Sequence, residues 1–390
     1  MINKRRLEED KNLIMWLNKY FVVNDFTLKL IELFDENKTQ KEISLLLNIS
    51  KFKIGRYYKK IENEIIKRDF YEDNINLKAP IKVQWKVTKK CNLKCRHCYL
   101  GELNNFEPSK ELVDKILSEI LNSNVMEVTL SGGECLTCKY IDYIANTLLS
   151  HDIKITIFTN GLLLNRFIEK IDTKYKDRVV INVSVDGLKN THEQIRGENT
   201  FDKTISNIEF AASKGFSITS ATVVNSINYD DIIDMIVLLK TKGVKHIQLS
   251  NIIIKGRAEK KLELSIEKQM AMKQRLLDLY KEHPEYEHIF YSEVPDEDGK
   301  RKVFKIEYGN SEFVGNDNWT CTAGLARLTI NEDGRVYCCP FLEKSYLGDL
   351  NSNTLEEIWN TKERYEFLDF IIKSNTDRVC VAIKQNKEKD

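Results

Sequence analysis

The sequence predicts an α/β protein built on a partial barrel, a (β/α)6 arrangement related to the TIM barrel. Between about residues 80 and 260, short apolar runs alternate with amphipathic helical patterns, which is typical of a parallel sheet with right-handed crossovers. Six such units are fewer than the eight of a closed barrel of about 250 residues. Polar and cysteine motifs follow several of the strands, so chemistry is expected at the carboxyl ends of the sheet.

Composition narrows the class of protein. The chain has 390 residues and a formal net charge of +1, so two or three domains are expected, and charge indicates neither a nucleic acid partner nor an anionic membrane. No apolar run is long enough to span a membrane, and the first residues do not resemble a secretory signal. Nine cysteines without such a signal favour the reducing cytoplasm, where spaced cysteines are more often metal ligands than disulfides.

The first 75 residues predict a separate winged helix-turn-helix unit. Thr39 is the expected N-cap of its second helix, since Glu42 three residues later completes a capping box. Basic residues along the third helical pattern leave three roles open: peptide binding, an inert structural cap, or DNA binding. The predicted elements are a strand and turn over 21–26 and helices over 27–34, 41–47 and 51–67.

The barrel follows as alternating strands and helices. A charged helix is then predicted over 259–281, and residues 282–302 are expected to be irregular and to lead out of the barrel. Beyond them lie a predicted hairpin of 326–330 with 335–339 and a helix over 355–360. The barrel strands are predicted at 83–87, 126–130, 154–158, 179–185, 217–223 and 245–250, and the helices at 109–122, 140–149, 164–175, 201–214 and 230–242.

Three cysteines dominate the chemistry. Cys91, Cys95 and Cys98 stand at C-x3-C-x2-C spacing directly after the first barrel strand. Thiolates select iron–sulfur clusters and zinc, and three of them can hold three irons of a [4Fe–4S] cube while the fourth iron stays open. A structural zinc site needs four ligands, and His97 is badly placed as the fourth because it adjoins Cys98. The pattern therefore favours an iron–sulfur cluster over zinc.

Polar and glycine residues that could bind a ligand stand at or after the ends of the next three predicted strands. Gly132 and Gly133 would let backbone approach a ligand closely, and the Glu134 carboxylate beside them can accept hydrogen bonds from an ammonium group. Asn160 ends the third strand as a polar lining residue, and Arg196 follows the fourth, where it can engage a carboxylate with two parallel hydrogen bonds. The alternative for Arg196 is a surface ion pair.

The cysteine spacing resembles the signature of the radical S-adenosylmethionine (SAM) enzymes. That resemblance implies that the open iron chelates the SAM amine and carboxylate and that His97 lies against the adenine. It also implies that Ser184 and Arg196 hold the SAM carboxylate and that Asp186 shapes its turn. His192 is interpreted as part of the turn structure. Gly132, Gly133, Glu134 and Asn160 would complete the cofactor site, and Gly256-Arg257-Ala258 matches the family pattern after the sixth strand.

One departure from the family pattern concerns two further thiols. Cys135 stands directly after Glu134, where the family usually has a small residue or proline, and Cys138 follows it. Buried cysteines commonly pack as small hydrophobes, which is the plain interpretation. The alternative is a thiol near SAM that donates a hydrogen atom or binds a metal.

The C-terminal cysteines resemble the opening of a SPASM/Twitch domain, which holds auxiliary [4Fe–4S] clusters. The resemblance allows one auxiliary cluster, with Cys321, Cys339 and Cys380 as ligands and one iron open to a substrate cysteine. Cys338 as a fourth ligand, recruitment of Cys135 or Cys138, and a metal-free hairpin of buried cysteines are the alternatives.

The whole layout resembles radical SAM peptide maturases, in particular the sactionine (thioether) synthases. Residues 1–75 resemble the pyrroloquinoline-quinone chaperone and would bind a precursor's leader, 80–305 would form the barrel, and 306–390 the auxiliary domain. A flavodoxin or ferredoxin would supply electrons, and the 5′-deoxyadenosyl radical would remove a hydrogen before a thioether forms. Epimerisation, a carbon–carbon cross-link, a sulfatase-type or haem-pathway reaction, and a zinc-containing DNA-binding protein are the alternatives. Neither a membrane nor a nucleic acid is expected as a partner.

Overall fold

The computed structural model describes residues 3–8, 11–16, 19–61, 77–295, 301–307, 310–314 and 321–374. The chain divides into two compact units, Met1–Ala79 and Pro80–Asp390. Among the described residues, none of the helices combines the length and apolar character needed to cross a membrane.

The first unit packs helices on a small antiparallel sheet. Its core contains Ile14, Phe21, Ile31, Ile43 and Ile54, all nearly inaccessible to solvent. The predicted capping box is present, since the Thr39 hydroxyl accepts from the Glu42 amide and the Glu42 carboxylate from the Thr39 amide. The elements are β1 (Asn3–Glu8), β2 (Lys11–Trp16), β3 (Lys19–Val23), α1 (Asp25–Asp35), α2 (Gln40–Leu47) and α3 (Lys51–Lys60), with sheet order β1-β2-β3.

Two features of this unit differ from the sequence prediction or lie outside it. Strands β1 and β2 were not predicted, because β1 is mostly charged and is held by its pairing with β2 rather than by an apolar pattern of its own. The predicted third helix is described as far as Lys60, and its continuation to residue 67 falls outside the described residues.

The six predicted barrel strands are present and parallel, which confirms the partial (β/α)6 barrel. The first of them is buried along most of its length, as expected for a sheet covered on both faces. The strands are β4 (Lys82–Thr88), β5 (Glu127–Gly132), β6 (Lys154–Thr159), β7 (Val179–Ser184), β8 (Ser217–Val224) and β9 (His246–Asn251).

The helices around these strands include two corrections. The helix predicted over 164–175 is wrong beyond Ile168, because the Asp172 carboxylate caps a separate 3-10 turn at Thr173–Arg178. A polar helix that the sequence analysis missed places His192 in regular structure rather than in a turn. The helices are α4 (Lys110–Asn122), α5 (Ile141–Ser150), α6 (Leu164–Ile168), α7 (Lys189–Arg196), α8 (Phe201–Ser213) and α9 (Ile232–Thr241).

The prediction that residues 282–302 are irregular is confirmed for 283–288 but wrong for 289–295 and 301–302, which form strands. The charged helix begins later than predicted, capped by Ser265, as α10 (Ile266–Glu282). The chain then adds β10 (Ile289–Pro295) parallel to β9, followed by antiparallel β11 (Arg301–Glu307) and β12 (Asn310–Val314). Many charged residues obscured the alternation of the strand pattern.

The C-terminal segment extends the other edge of the same sheet. The predicted hairpin is present as β13 (Arg327–Ile330) and β14 (Arg335–Tyr337), and β15 (Tyr346–Asp349) pairs with β14. Strand β13 lies parallel to β4, so this segment and the barrel share one hydrogen-bonded sheet. Helices α11 (Leu355–Trp359) and α12 (Lys362–Ser374) follow.

Candidate active site

A cavity of about 460 Å³ lies at the carboxyl ends of the barrel strands. The strand ends and the loops after them bring together side chains that are far apart in sequence, as this class of sheet commonly does. Every cofactor and cluster residue predicted in the barrel lines this cavity: Cys91, Cys95, His97, Cys98, Gly132, Gly133, Glu134, Asn160, Ser184 and Arg196.

The cysteine loop is held by the segment that follows β9. The Arg257 amide donates to the Cys98 carbonyl at 2.9 Å, and its Nε donates to the Cys95 carbonyl at 3.0 Å. Its Nη1 donates to the Gly101 carbonyl at 2.8 Å. One arginine therefore fixes three backbone carbonyls of the loop that carries the thiols.

Gly256 makes this contact possible. Its φ is +64°, and a Cβ built there would stand 2.5 Å from both the Cys98 carbonyl oxygen and the Gly101 amide nitrogen. Any side chain would push the loop away, so the backbones of the two loops can meet only at a glycine.

The three thiols fit an iron–sulfur cluster better than a single metal ion. Among the described residues, no group of three cysteine, histidine or acidic side chains is placed to hold one ion. In a [4Fe–4S] cube each thiolate instead ligates its own iron, and three thiolates leave one iron open. Burial raises the pKa of Cys91 to about 11 and also raises that of Cys95, so a bound metal would have to drive deprotonation.

Glu134 is fixed by the end of the third barrel strand. Its carboxylate accepts from the Thr159 hydroxyl at 2.7 Å, the Asn160 amide at 2.7 Å and the Leu136 amide at 3.1 Å. Burial nevertheless raises the pKa of this carboxyl, and the hydrogen bonds oppose that shift. The side chain is 2% exposed and lies at the cavity wall, so its orientation is set before any ligand binds.

A buried ion pair fixes Arg196, another residue of the cavity lining. Arg196 Nε donates to Asp186 Oδ2 at 2.6 Å, and His97 Nε2 lies 3.2 Å from the same oxygen. Burial alone would raise the pKa of Asp186, but Arg196 and His97 outweigh it and hold that pKa below its usual range. The alternative of a surface ion pair is therefore wrong, since Arg196 is 8% exposed and Asp186 is fully buried.

His192 packs against the backbone of Asp186. Its Nδ1 accepts from the Asp186 amide at 3.2 Å, and its ring meets Phe201 edge to face at 5.5 Å. Burial and the nearby Arg196 lower the pKa of His192 to about 4, so the ring is neutral at pH 7.

Cys135 and Cys138 are not on the cavity wall. Both are buried, and the Cys135 thiol donates to the Phe158 carbonyl at 3.1 Å. Burial raises the pKa of Cys135 well above its ordinary value. These surroundings favour the packing interpretation, and a hydrogen-donor role for Cys135 stays a prediction.

The C-terminal cysteines lie beside a second cavity of about 160 Å³. Cys339 lines that cavity, whereas Cys338 is fully buried beside Gly324. Strand β14 ends at Tyr337, so strand alternation does not decide which of the two faces a cluster. Cys321 is partly exposed, and Cys380 falls outside the described residues.

Sequence reasoning missed the aromatic contact at the cavity edge. The rings of Tyr99 and Phe341 lie 4.8 Å apart, and both residues line the larger cavity. Tyr99 directly follows the last cysteine of the motif, which was a usable signal. The position of Phe341 depends on the pairing of β13 with β4, and no sequence pattern near Phe341 indicates this pairing.

Two protein-family models match segments of the chain that line these two cavities. Residues 85–239 match the Radical SAM superfamily, and residues 321–382 match SPASM, an iron–sulfur cluster-binding domain. The chain is a radical SAM enzyme. Its barrel binds SAM and a [4Fe–4S] cluster, for which the donor set described above is suited, and its SPASM domain binds an auxiliary iron–sulfur cluster.

The relatives of this radical SAM enzyme have different named activities. It is 26% identical over 328 residues to Fe-coproporphyrin III synthase of Methanosarcina barkeri, covering 78% of each chain. It is 24% identical to the sporulation killing factor maturation protein SkfB of Bacillus subtilis, covering 72% of this chain and 64% of that protein. The structure of Streptococcus suis SuiB bound to precursor peptide SuiA has the same fold, with TM-score 0.66 and 16% identity over 94% and 88% of the two chains.

Replacing Gly256 with alanine is expected to release the cysteine loop. The new Cβ meets the Cys98 carbonyl oxygen at 2.5 Å, and such overpacking typically costs about 1–3 kcal/mol. We expect iron and sulfide content after anaerobic reconstitution to fall by at least half. Gly197→Ala is the matched control, because Gly197 also has positive φ but its Cβ would meet nothing within 4 Å. Equal iron loading of the two variants would contradict the role assigned to Gly256.

Proposed function

We propose that this radical SAM enzyme modifies a ribosomally made precursor peptide by joining a cysteine thiol to a peptide carbon as a thioether. The observation that carries the proposal is that two cavities, one lined by the barrel cysteines and one by Cys339, share part of their lining. A peptide lying across both would bring a carbon to SAM and a thiol to the auxiliary cluster. The residues common to the two linings are Tyr99, Leu100, Gly132, Gly133 and Pro340.

The barrel residues bind and orient the cofactors. Cys91, Cys95 and Cys98 would ligate the cluster, and Glu134, held by three hydrogen bonds, would accept from the SAM ammonium. When bound, the reduced cluster and SAM together supply a 5′-deoxyadenosyl radical that removes a hydrogen atom from the substrate. The chain's own part is to position the reacting carbon and exclude water.

Arg196 and its neighbours in the cavity lining would complete the SAM site. Arg196 donates from Nε to Asp186 and from Nη1 to the Cys95 sulfur at 3.8 Å, which leaves Nη2 for the SAM carboxylate. Ser184 also lines the cavity and would bind the same carboxylate. His97 would lie against the adenine, and its 3.2 Å approach to Asp186 would set the plane of the ring. Asn160 and the two glycines would close the site around the ribose and methionine portions.

The SPASM residues would hold the second reactant. Cys321, Cys339 and Cys380 are the proposed ligands, and the remaining iron would bind the substrate cysteine as a thiolate. Cys338 as the fourth ligand is the competing arrangement, and it would leave no iron for a substrate thiol.

The N-terminal unit would bind the leader of the precursor. Strand β3 is at the end of the β1-β2-β3 order and has no second partner strand among the described residues. A peptide can add to such an edge through backbone hydrogen bonds. The comparison structure of SuiB with its precursor peptide supports a peptide substrate for this fold. A flavodoxin or ferredoxin is the proposed electron donor.

A haem-pathway reaction is the second candidate. The alignment with Fe-coproporphyrin III synthase, which covers 78% of each chain, favours it. A tetrapyrrole has no leader peptide, so this candidate assigns no substrate role to residues 1–79. Peptide epimerisation and carbon–carbon cross-linking would use the same cavities with a different fate for the radical.

Removing all three barrel thiolates is expected to abolish SAM cleavage. The full chain carrying Cys91→Ala, Cys95→Ala and Cys98→Ala should give 5′-deoxyadenosine at background level under dithionite, measured by liquid chromatography. Cys138→Ala is the control, because its thiol is buried and does not line the cavity, so cleavage should be unchanged. Undiminished 5′-deoxyadenosine from the triple variant would reject the ligand assignment.

Deletion of residues 1–79 separates the two candidate substrates. For a peptide maturase, we expect the truncated enzyme to lose turnover of a cysteine-rich precursor encoded beside its gene, while uncoupled SAM cleavage continues. Tandem mass spectrometry of the full-length reaction should locate a thioether and the loss of two hydrogens. Equal precursor turnover by the truncated enzyme would reject leader binding, and conversion of a coproporphyrin instead would favour the second candidate.

Variants of the adjacent C-terminal cysteines identify the auxiliary ligand. Because Cys339 lines the cavity and Cys338 is buried beside Gly324, Cys339→Ala should lose the auxiliary cluster and Cys338→Ala should keep it. Iron content and Mössbauer spectra give the measurement. The reverse result would overturn the assignment of Cys339.

A further inference from the structure

The smaller cavity contains a buried lysine that the proposed chemistry does not use. Lys86, on strand β4, is 8% exposed, and its Nζ donates to the Pro340 carbonyl at 3.3 Å. Pro340 directly follows Cys339, and Lys86 and Cys339 line the same cavity. The ammonium group therefore lies beside the loop that carries the proposed cluster ligand.

Lys86 has little compensation from the protein itself. Its ammonium has three hydrogens to donate, and the Pro340 carbonyl is its one hydrogen-bond partner among the described residues. No described carboxylate forms a salt bridge with it. Burial lowers the pKa of Lys86, as expected for a cation removed from water. A buried charge of this kind normally has an anionic partner.

The other charges around the cavity are more exposed or farther away. Lys255 donates to the Phe341 carbonyl at 2.8 Å and lies 3.7 Å from the exposed carboxylate of Glu343. Glu332 and Lys89 also line the cavity, and Glu332 is the acid whose charge most supports the charged form of Lys86. Of the three lysines that line the cavity, Lys86, Lys89 and Lys255, Lys86 is the most deeply buried.

We propose that Lys86 is a positioning residue for the auxiliary cluster, whose negative charge it balances and whose reduction potential it raises. A thiolate-ligated [4Fe–4S] cluster is anionic and gains a further negative charge on reduction. A cation held in a medium of low dielectric constant stabilises the reduced form more than the oxidised form. The inference rests on the proposed ligand set, because it needs Cys339 to hold the cluster.

Redox titration followed by electron paramagnetic resonance tests this proposal. The full chain with Cys91→Ala, Cys95→Ala and Cys98→Ala provides the background, so that only the auxiliary cluster contributes to the spectrum. In that background, Lys86→Met is expected to lower the midpoint potential, and Lys86→Arg to keep it near the original value. Lys255→Met is the matched control, with a smaller decrease because the Lys255 side chain is 29% exposed and screened by water.

Removing a negative charge from the same cavity is expected to shift the midpoint potential in the opposite direction. Glu332→Gln removes a negative charge from the same cavity, so the midpoint potential is expected to rise. A merely structural role for Lys86 would not produce opposite shifts from these two variants. An unchanged potential in Lys86→Met with full iron content overturns the proposal.

The proposal can also be tested if the Lys86→Met variant fails to bind the auxiliary cluster. If Lys86→Met does not load iron, Lys86→Gln and Lys86→Arg are compared. Loading of the arginine variant alone supports a required positive charge, whereas failure of all three shows a role in folding and overturns the proposal. Absence of iron from the background variant itself would instead reject the auxiliary cluster on which the inference rests.

Discussion

The backbone contact between the cysteine loop and the segment after β9 is the constraint on which the site depends. Thiols that ligate a cluster must stand at fixed separations, yet the loop that carries them has no regular secondary structure of its own. Arg257 supplies this order by donating to the Cys95, Cys98 and Gly101 carbonyls. Because Gly256 lets the two loops touch, the loops that follow the first and sixth strands of the barrel are held together.

At Arg196 the site is fixed by a buried ion pair rather than by contact between two backbones. Asp186 receives Arg196 and the Val223 amide on different oxygens, at 2.6 and 3.0 Å, and lies 3.2 Å from His97. Removing one partner from such a buried pair usually costs about 3–5 kcal/mol, since the other charge is left without compensation. The pair therefore keeps Arg196 in one orientation at the cavity, where a flexible surface arginine would have many.

Much of the barrel and its site could be predicted from sequence because the signals are local. The cysteine spacing, Gly132 to Glu134 and Arg196 each follow a recognisable strand, and parallel strands bring their carboxyl ends to one edge. The strands that were not predicted from the sequence lack such local signals. Strands β1 and β11 are mostly charged, and β1, β2, β10, β11 and β12 are held by pairing with other strands, which the apolar pattern of one segment does not record. The contacts of Lys86 and Phe341 depend on β13 pairing with β4, a separation of more than two hundred residues.

The pairing of β13 with β4 has a consequence for which substrates can react. Leu328 lies opposite Val83 and Ile330 opposite Trp85, so the hairpin that leads to Cys339 is hydrogen-bonded directly to the first barrel strand. The two cavities therefore stand at a separation set by strand spacing and register. For a peptide that occupies both at once, the number of residues between its thiol and its reacting carbon would be measured against this fixed length. The sheet would then act as a molecular ruler for ring size in the product.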